Sequence, residues 1–156
     1  MGRLMQDTIT ILKSKERRAF LDMVHDQWGG DWKPEEAFAQ NTQHRIFLVT
    51  PDLAKIEWQR LRISSVGLYI AEVHKERVRL SIEGSQLIGP TATKNIVDVD
   101  RDTAMLWLKG HDIEVAGEFI GYVIVKSGND YFGSGPWKEG MLLNHVPKIR
   151  RLPENA

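Results

Sequence analysis

Chemistry in this chain concentrates near its C-terminal end. The run Asn144-His145-Val146-Pro147-Lys148-Ile149-Arg150-Arg151 sets three fixed positive charges within four residues, with no acid between Gly140 and Pro153. Such a cluster can hold several phosphates by releasing their counterions, and its affinity then falls steeply with salt. The same pattern also serves a blander end, since terminal segments are often charged to stay solvated. A second basic spot is Lys109-Gly110-His111. Gly110 suits a helix C-cap, which favours the left-handed conformation, and a backbone without a side chain also admits a ribose or phosphate closely.

Other chemistries find less support. The glycines at 128, 133 and 135 are followed by Pro136 and Trp137, so they fit neither a phosphate loop nor a dinucleotide fingerprint. A bend in a small curved sheet accounts for them. Histidines 25, 44, 74, 111 and 145 lack ligand spacing and the chain contains no cysteine, so no metal site is expected. The missing thiol also removes disulfides and cysteine nucleophiles, and it points to a reducing, cytoplasmic setting. No nucleophile elbow is present, and no catalytic residue and no cofactor are expected. Five tryptophans (28, 32, 58, 107 and 137) could stack on bases. Trp28 and Trp107 fall in apolar helical patterns and read as core. Trp137, between Pro136 and Lys138 in an expected loop, is the best stacking candidate, with Tyr131 next.

The elements that must position these residues make a small α+β protein. The 156 residues carry 21 basic and 21 acidic side chains, so no global field advertises nucleic-acid binding, and any footprint must be local. No apolar stretch approaches the roughly 18–20 residues of a membrane span. Thr8 to Leu12 alternates like a strand. Ser14 is placed to cap a helix carrying Phe20, Leu21, Val24 and Trp28 and stopped by Gly29-Gly30. Residues 31–41 read as a loop or one loose helical turn. A strand over Arg45–Thr50 precedes a short helix expected from Pro51 to Leu61, capped by Thr50. Strands are expected over Gly67–Val73 and Val78–Ile82, joined by a charged tip, and a further one over Gln86–Ile88. Arg60, Arg62, Lys75, Arg77 and Arg79 interleave with Glu57, Glu72 and Glu76 and read as solvated surface.

Small, turn-forming residues at 89–93 mark the expected boundary between a domain at 1–93 and one at 94–156. In the second, Ile96–Val99 leads to Asp100, an N-cap for a short helix over Thr103–Leu108. A strand over Tyr122–Lys126, a glycine-rich bend, Met141–Leu143 and the basic tail complete it.

Within that second part, Trp107-Leu108-Lys109-Gly110, Gly121-Tyr122-Val123-Ile124-Val125, Gly133-Ser134-Gly135 and Leu143 to Arg151 follow, in order and spacing over about 50 residues, a known pattern. They resemble the PUA-like domain appended to bacterial and archaeal RNA cytosine-5 methyltransferases, which also occurs in stand-alone ribosome-biogenesis proteins. The half before it, above all Arg45 to Gly89, is similar to the pre-PUA domain of a eukaryotic large-subunit assembly factor. The chain departs from the methyltransferase pattern at Ser134, where an aromatic is common, and in the longer bend Ser127-Gly128-Asn129-Asp130.

The resemblance implies an N-terminal α/β pre-PUA domain followed by a PUA-type β-barrel with one short helix. It implies contacts to structured RNA, ribosomal or transfer, from Lys109, Gly110, Lys126, Trp137, Lys138, Asn144, His145, Lys148, Arg150 and Arg151. Cytosine-5 methylation itself needs a thiolate, which this chain lacks, and no strand–turn–helix site for S-adenosylmethionine is legible. The expected role is a non-catalytic RNA-binding protein of ribosome biogenesis or rRNA/tRNA modification, with neither a membrane nor DNA as partner. The alternative is a protein-interaction adaptor for an RNA-modifying enzyme or assembly factor, with weak RNA affinity. Salt dependence of RNA binding separates the two.

Overall fold

In the computed structural model, residues 9–50 and 67–156 are described. The helix expected from Pro51 to Leu61, with Trp58, Arg60 and Arg62, lies outside them, as does Thr8.

The described residues form two five-stranded sheets and three α-helices, so the α+β class holds. The first sheet is antiparallel, in the order β1 (Thr10–Ile11), β2 (Ala37–Gln40), β3 (Arg45–Val49), β4 (Leu68–His74) and β5 (Arg77–Leu80). Its β4–β5 connection is the charged tip, tightened by left-handed Lys75 and Glu76 as a two-residue hairpin turn requires. Helix α1 (Ser14–Trp28) buries Phe20, Leu21, Val24 and Trp28 among Phe38, Ile46 and Ile70, as its apolar stripe demands. Its N-cap is Lys13 rather than Ser14: Glu16 Oε1, three residues into the helix, accepts the Lys13 backbone N–H at 3.0 Å.

Two expectations for this half are corrected. Residues 37–40 are a strand, not part of a loop; Phe38 is 1% exposed in the core and the backbone pairs with both β1 and β3. Residues 82–88 form helix α2 (Ile82–Ile88), where a strand end and a further strand were expected. Ser81 caps it, accepting the Gly84 N–H at 3.0 Å, and that cap ends β5 at Leu80.

The second sheet is curled and runs β6 (Ile96–Asp98), β8 (Tyr122–Ser127), β9 (Asp130–Lys138), β10 (Met141–Leu142) and β7 (Ile113–Glu114). β6 and β8 are parallel, joined through helix α3 (Arg101–Leu108), whose N-cap Asp100 accepts the Thr103 N–H at 2.7 Å. A register shift between Ile124 and Lys126 bends the β8–β9 pair. The expected glycine-rich bend is instead the nine-residue strand β9; only the Gly128 turn before it reverses the chain. Trp107, fully buried, centres this core with Val123, Val125 and Leu142.

The sheets share buried contacts. Ile124 of β8 belongs to the core under α1, and the Trp28 indole donates to the Tyr122 carbonyl at 3.1 Å. Ser134 Oγ accepts the Leu80 N–H at 2.9 Å, and Ser85 Oγ accepts the Gly133 N–H at 2.7 Å.

Candidate nucleic-acid interface

The candidate interface grows from the end of α3. Lys109 is its C-cap, and the His111 N–H reaches back to the Leu106 carbonyl at 3.0 Å. That closure needs a left-handed residue between them, and Gly110 supplies it at φ +98°. The space above it is filled by Arg151. A Cβ there would lie 2.6 Å from Arg151 Cδ. Gly110 therefore makes room for a side chain of the same protein, where the sequence suggested an opening for a ribose.

Asn144 fastens the tail to this helix end. Its Nδ2 donates to the Trp107 carbonyl at 2.7 Å and the His111 carbonyl at 3.0 Å, while its Oδ1 accepts the Val146 N–H at 2.9 Å. Both amide protons and the carbonyl are engaged, so Asn144 acts as a fastener. Arg151 Nε donates to the Val146 carbonyl at 2.9 Å, and the Leu152 N–H bonds the Leu108 carbonyl at 2.9 Å.

The basic tail is less bare than it reads in sequence. Arg150 grips Glu83 of α2 through two parallel hydrogen bonds of 2.8 and 2.9 Å. That hydrogen bond, outweighing partial burial, holds the Glu83 carboxyl below its ordinary range and raises Arg150 further. Asp112 accepts the Asn144 N–H at 2.7 Å, and Glu154 pairs with His111 at 2.8 Å. Acids absent from the tail's own sequence thus reach it from elsewhere. Lys148, in the 3₁₀ turn Lys148–Arg150, stays exposed and has no ion pair among the described residues.

His145 lies between these groups and the first sheet. Arg79 Nη1 meets its Nδ1 at 3.1 Å, and Arg79 Nη2 pairs with Glu72 at 2.5 Å. Arg79 was read as solvated surface; it is instead half-buried between a carboxylate and an imidazole. Partial burial, then the Arg79 charge, lower the His145 pKa, against opposing pulls from Asp112 and Glu72. A guanidinium has only donors, so Nδ1 accepts and the ring proton sits on Nε2.

Three candidates stand apart. Trp137 is in β9, not a loop, and its indole donates to the Val115 carbonyl at 2.9 Å while its ring meets Phe119 edge-on at 5.7 Å. Trp137 is thus partly buried in a strand, with its indole N–H engaged and one edge-to-face neighbour. Lys126 sits over Tyr131 at 6.0 Å, near the β8–β9 turn, and Lys138 is exposed at the far end of β9. Seven residues of strand separate Tyr131 from Lys138, on the order of 20 Å, so the two lysines cannot share a phosphate. Gly110, Asn144, His145, Lys148, Arg150 and Arg151, with Lys109 adjoining, are gathered. Arg79 and Glu83, which complete the cluster, come from the first half of the chain, and no local sequence signal pairs them with the tail.

Among the described residues no group of acids and histidines could hold a metal, and no helix is long and apolar enough to cross a membrane.

Residues 94–152 match the model for the PUA domain of methyltransferase RsmF. Ribosomal RNA small subunit methyltransferase F of Vibrio cholerae serotype O1 (strain M66-2) is 30% identical over 89 residues, 56% of this chain and 19% of that protein. The namesake from Vibrio vulnificus (strain YJ016) is 31% identical over 88 residues, again 56% and 19%. For Aeromonas salmonicida (strain A449) identity is 27% over 150 residues, 94% of this chain and 30% of the relative. The chain spans less than a third of the length of these relatives.

Proposed function

We propose that this chain, whose residues 94–152 are a PUA-type domain, holds ribosomal RNA for a modification step that it does not itself catalyse. The likeness to rRNA methyltransferases carries the choice of RNA, and residues 94–152 match the PUA-domain model of such an enzyme. The residues present include no cysteine that could attack a pyrimidine ring. The structural support is the fastening of the tail by Asn144 and Arg151, which holds the backbone that carries the exposed Lys148. The division at residue 93 and the cytoplasmic setting belong to the same proposal.

RNA binding is measured by fluorescence anisotropy with a structured rRNA hairpin and a transfer RNA across a salt series. Wild type is compared with Lys109→Ala/Lys148→Ala. Each phosphate contact removed flattens the log–log salt slope by about 0.7–0.9, so the double variant should lose about 1.4–1.8. Weak binding with no salt slope, in both proteins, overturns the reading.

One observation favours the adaptor reading. Ile120 is 79% exposed and adjoins Met23 and Gln27 at a surface depression between the two sheets. An adaptor would leave both proteins without appreciable RNA affinity.

A further inference from the structure

Between β5, the start of α2, β9 and the tail lies a cavity of about 210 Å³. Its walls are largely apolar, with Leu80 and Ile82 on one side and Val146, Pro147 and Ile149 on the other. Tyr69 borders it, and Arg79, His145 and Arg150 form its polar rim.

Resting on the RNA-binding reading above, we infer that this cavity receives one unpaired, carbonyl-bearing nucleobase of the bound RNA, such as uracil. Size is the first argument. Pockets for drug-sized ligands run to about 300–1,000 Å³, so this one suits a single flat ring rather than a whole nucleotide cofactor. Single-stranded RNA is recognised by splaying bases into such slots.

The rim chemistry selects the base. Each Glu83 oxygen accepts from Arg150, and Ser81 Oγ accepts the Gly84 N–H and donates to the Tyr69 carbonyl. Donors predominate on the rim: the His145 Nε2–H, and the spare N–H groups of two guanidinia already fixed by carboxylates. A rim with this excess of donors matches an edge of carbonyl oxygens.

Ile149 is the third argument. It is 93% exposed at the mouth, held there by the 3₁₀ turn. A base entering the cavity would cover it, and the adjoining phosphodiester would meet the exposed Lys148 next to it in the chain.

The test uses the full chain and two RNA hairpins, identical except for a single bulged uridine or an abasic residue at that position. Wild type should bind the bulged-uridine hairpin at least five-fold tighter, within the roughly five- to 150-fold range of one base stack. In His145→Ala/Ile149→Ala that ratio should fall to about one, while circular dichroism and the thermal midpoint report that the variant is folded. Equal binding of both hairpins by wild type, or a preference that survives the double variant, overturns the inference while leaving RNA binding intact. Failure to bind either hairpin overturns the RNA-binding reading as well. With 4-thiouridine at the bulge, irradiation should crosslink the peptide containing His145; a crosslink confined to other peptides overturns the assignment.

Discussion

Arg150 and Glu83, 67 residues apart in the chain, meet through two parallel hydrogen bonds of 2.8 and 2.9 Å. The pair ties the basic tail to α2. Its side chains keep 47% and 23% of their surface in solvent, which screens the charges. An exposed pair contributes about 0.2–1 kcal/mol, and the two-pronged geometry favours the upper end. A double-mutant cycle of Arg150→Ala and Glu83→Gln, read by urea unfolding, should give a coupling near the top of that range. Because Glu83 titrates lower in the folded protein, its contribution is present above its unfolded pKa and lost as pH falls through the folded value.

Gly110→Ala should be costly for the left-handed backbone, and its Cβ should push the Arg151 side chain off the Val146 carbonyl. The backbone alone is expected to cost about 1–3 kcal/mol. Adding Arg151→Ala should relieve that contact, so the double variant should lose less stability than the two single losses combined. Strict additivity in urea denaturation would show that the two do not touch in solution.

Asn144→Ala removes two donors from the Trp107 and His111 carbonyls, with an expected cost of about 1–3 kcal/mol. Asn144→Asp should be worse, since it sets a carboxylate against both carbonyl oxygens. The order of the two denaturation midpoints is the readout.

His145 titrates below the ordinary imidazole value of 6.5, chiefly through partial burial and next through Arg79. The unfolded chain therefore takes up its proton first as pH falls. Its contribution is whole above pH 6.5, declines as pH falls, and is gone below the folded pKa. His145→Gln should flatten the stability profile between about pH 5 and 7. An NMR titration of the His145 ring at or above 6.5 would contradict this.

The parts legible in sequence were those with strong local signals. The stripe from Phe20 to Trp28 set α1, Asp100 announced α3, and the apolar run Tyr122–Val125 marked β8. Helix α2 has only seven residues, too few for a 3.6-residue period to stand out, and contacts such as Ser85 to Gly133 hold it. Strand β9 was hidden by Gly133, Gly135 and Pro136, which disfavour strands locally. A Cβ at Gly135 would strike the Leu143 carbonyl at 2.1 Å and the Trp107 ring at 2.7 Å, so its smallness serves packing against α3, far off in the sequence. For the candidate site, composition located the tail, but the partners that restrain it, Glu83, Arg79 and Asp112, came from other elements through pairings that only the fold creates.

The bonds that run from α1 to the second sheet have a practical corollary. Gln27 donates to the Ile120 and Tyr122 carbonyls, Trp28 shares the latter, and Asn95 donates back to the Gln27 carbonyl. Ile124 is fully covered by the first core. Cutting out residues 94–152 as a cassette, or grafting them onto a different protein, would leave that isoleucine and the Tyr122 carbonyl facing water. A transplant that keeps its shape must carry α1 and α2 along.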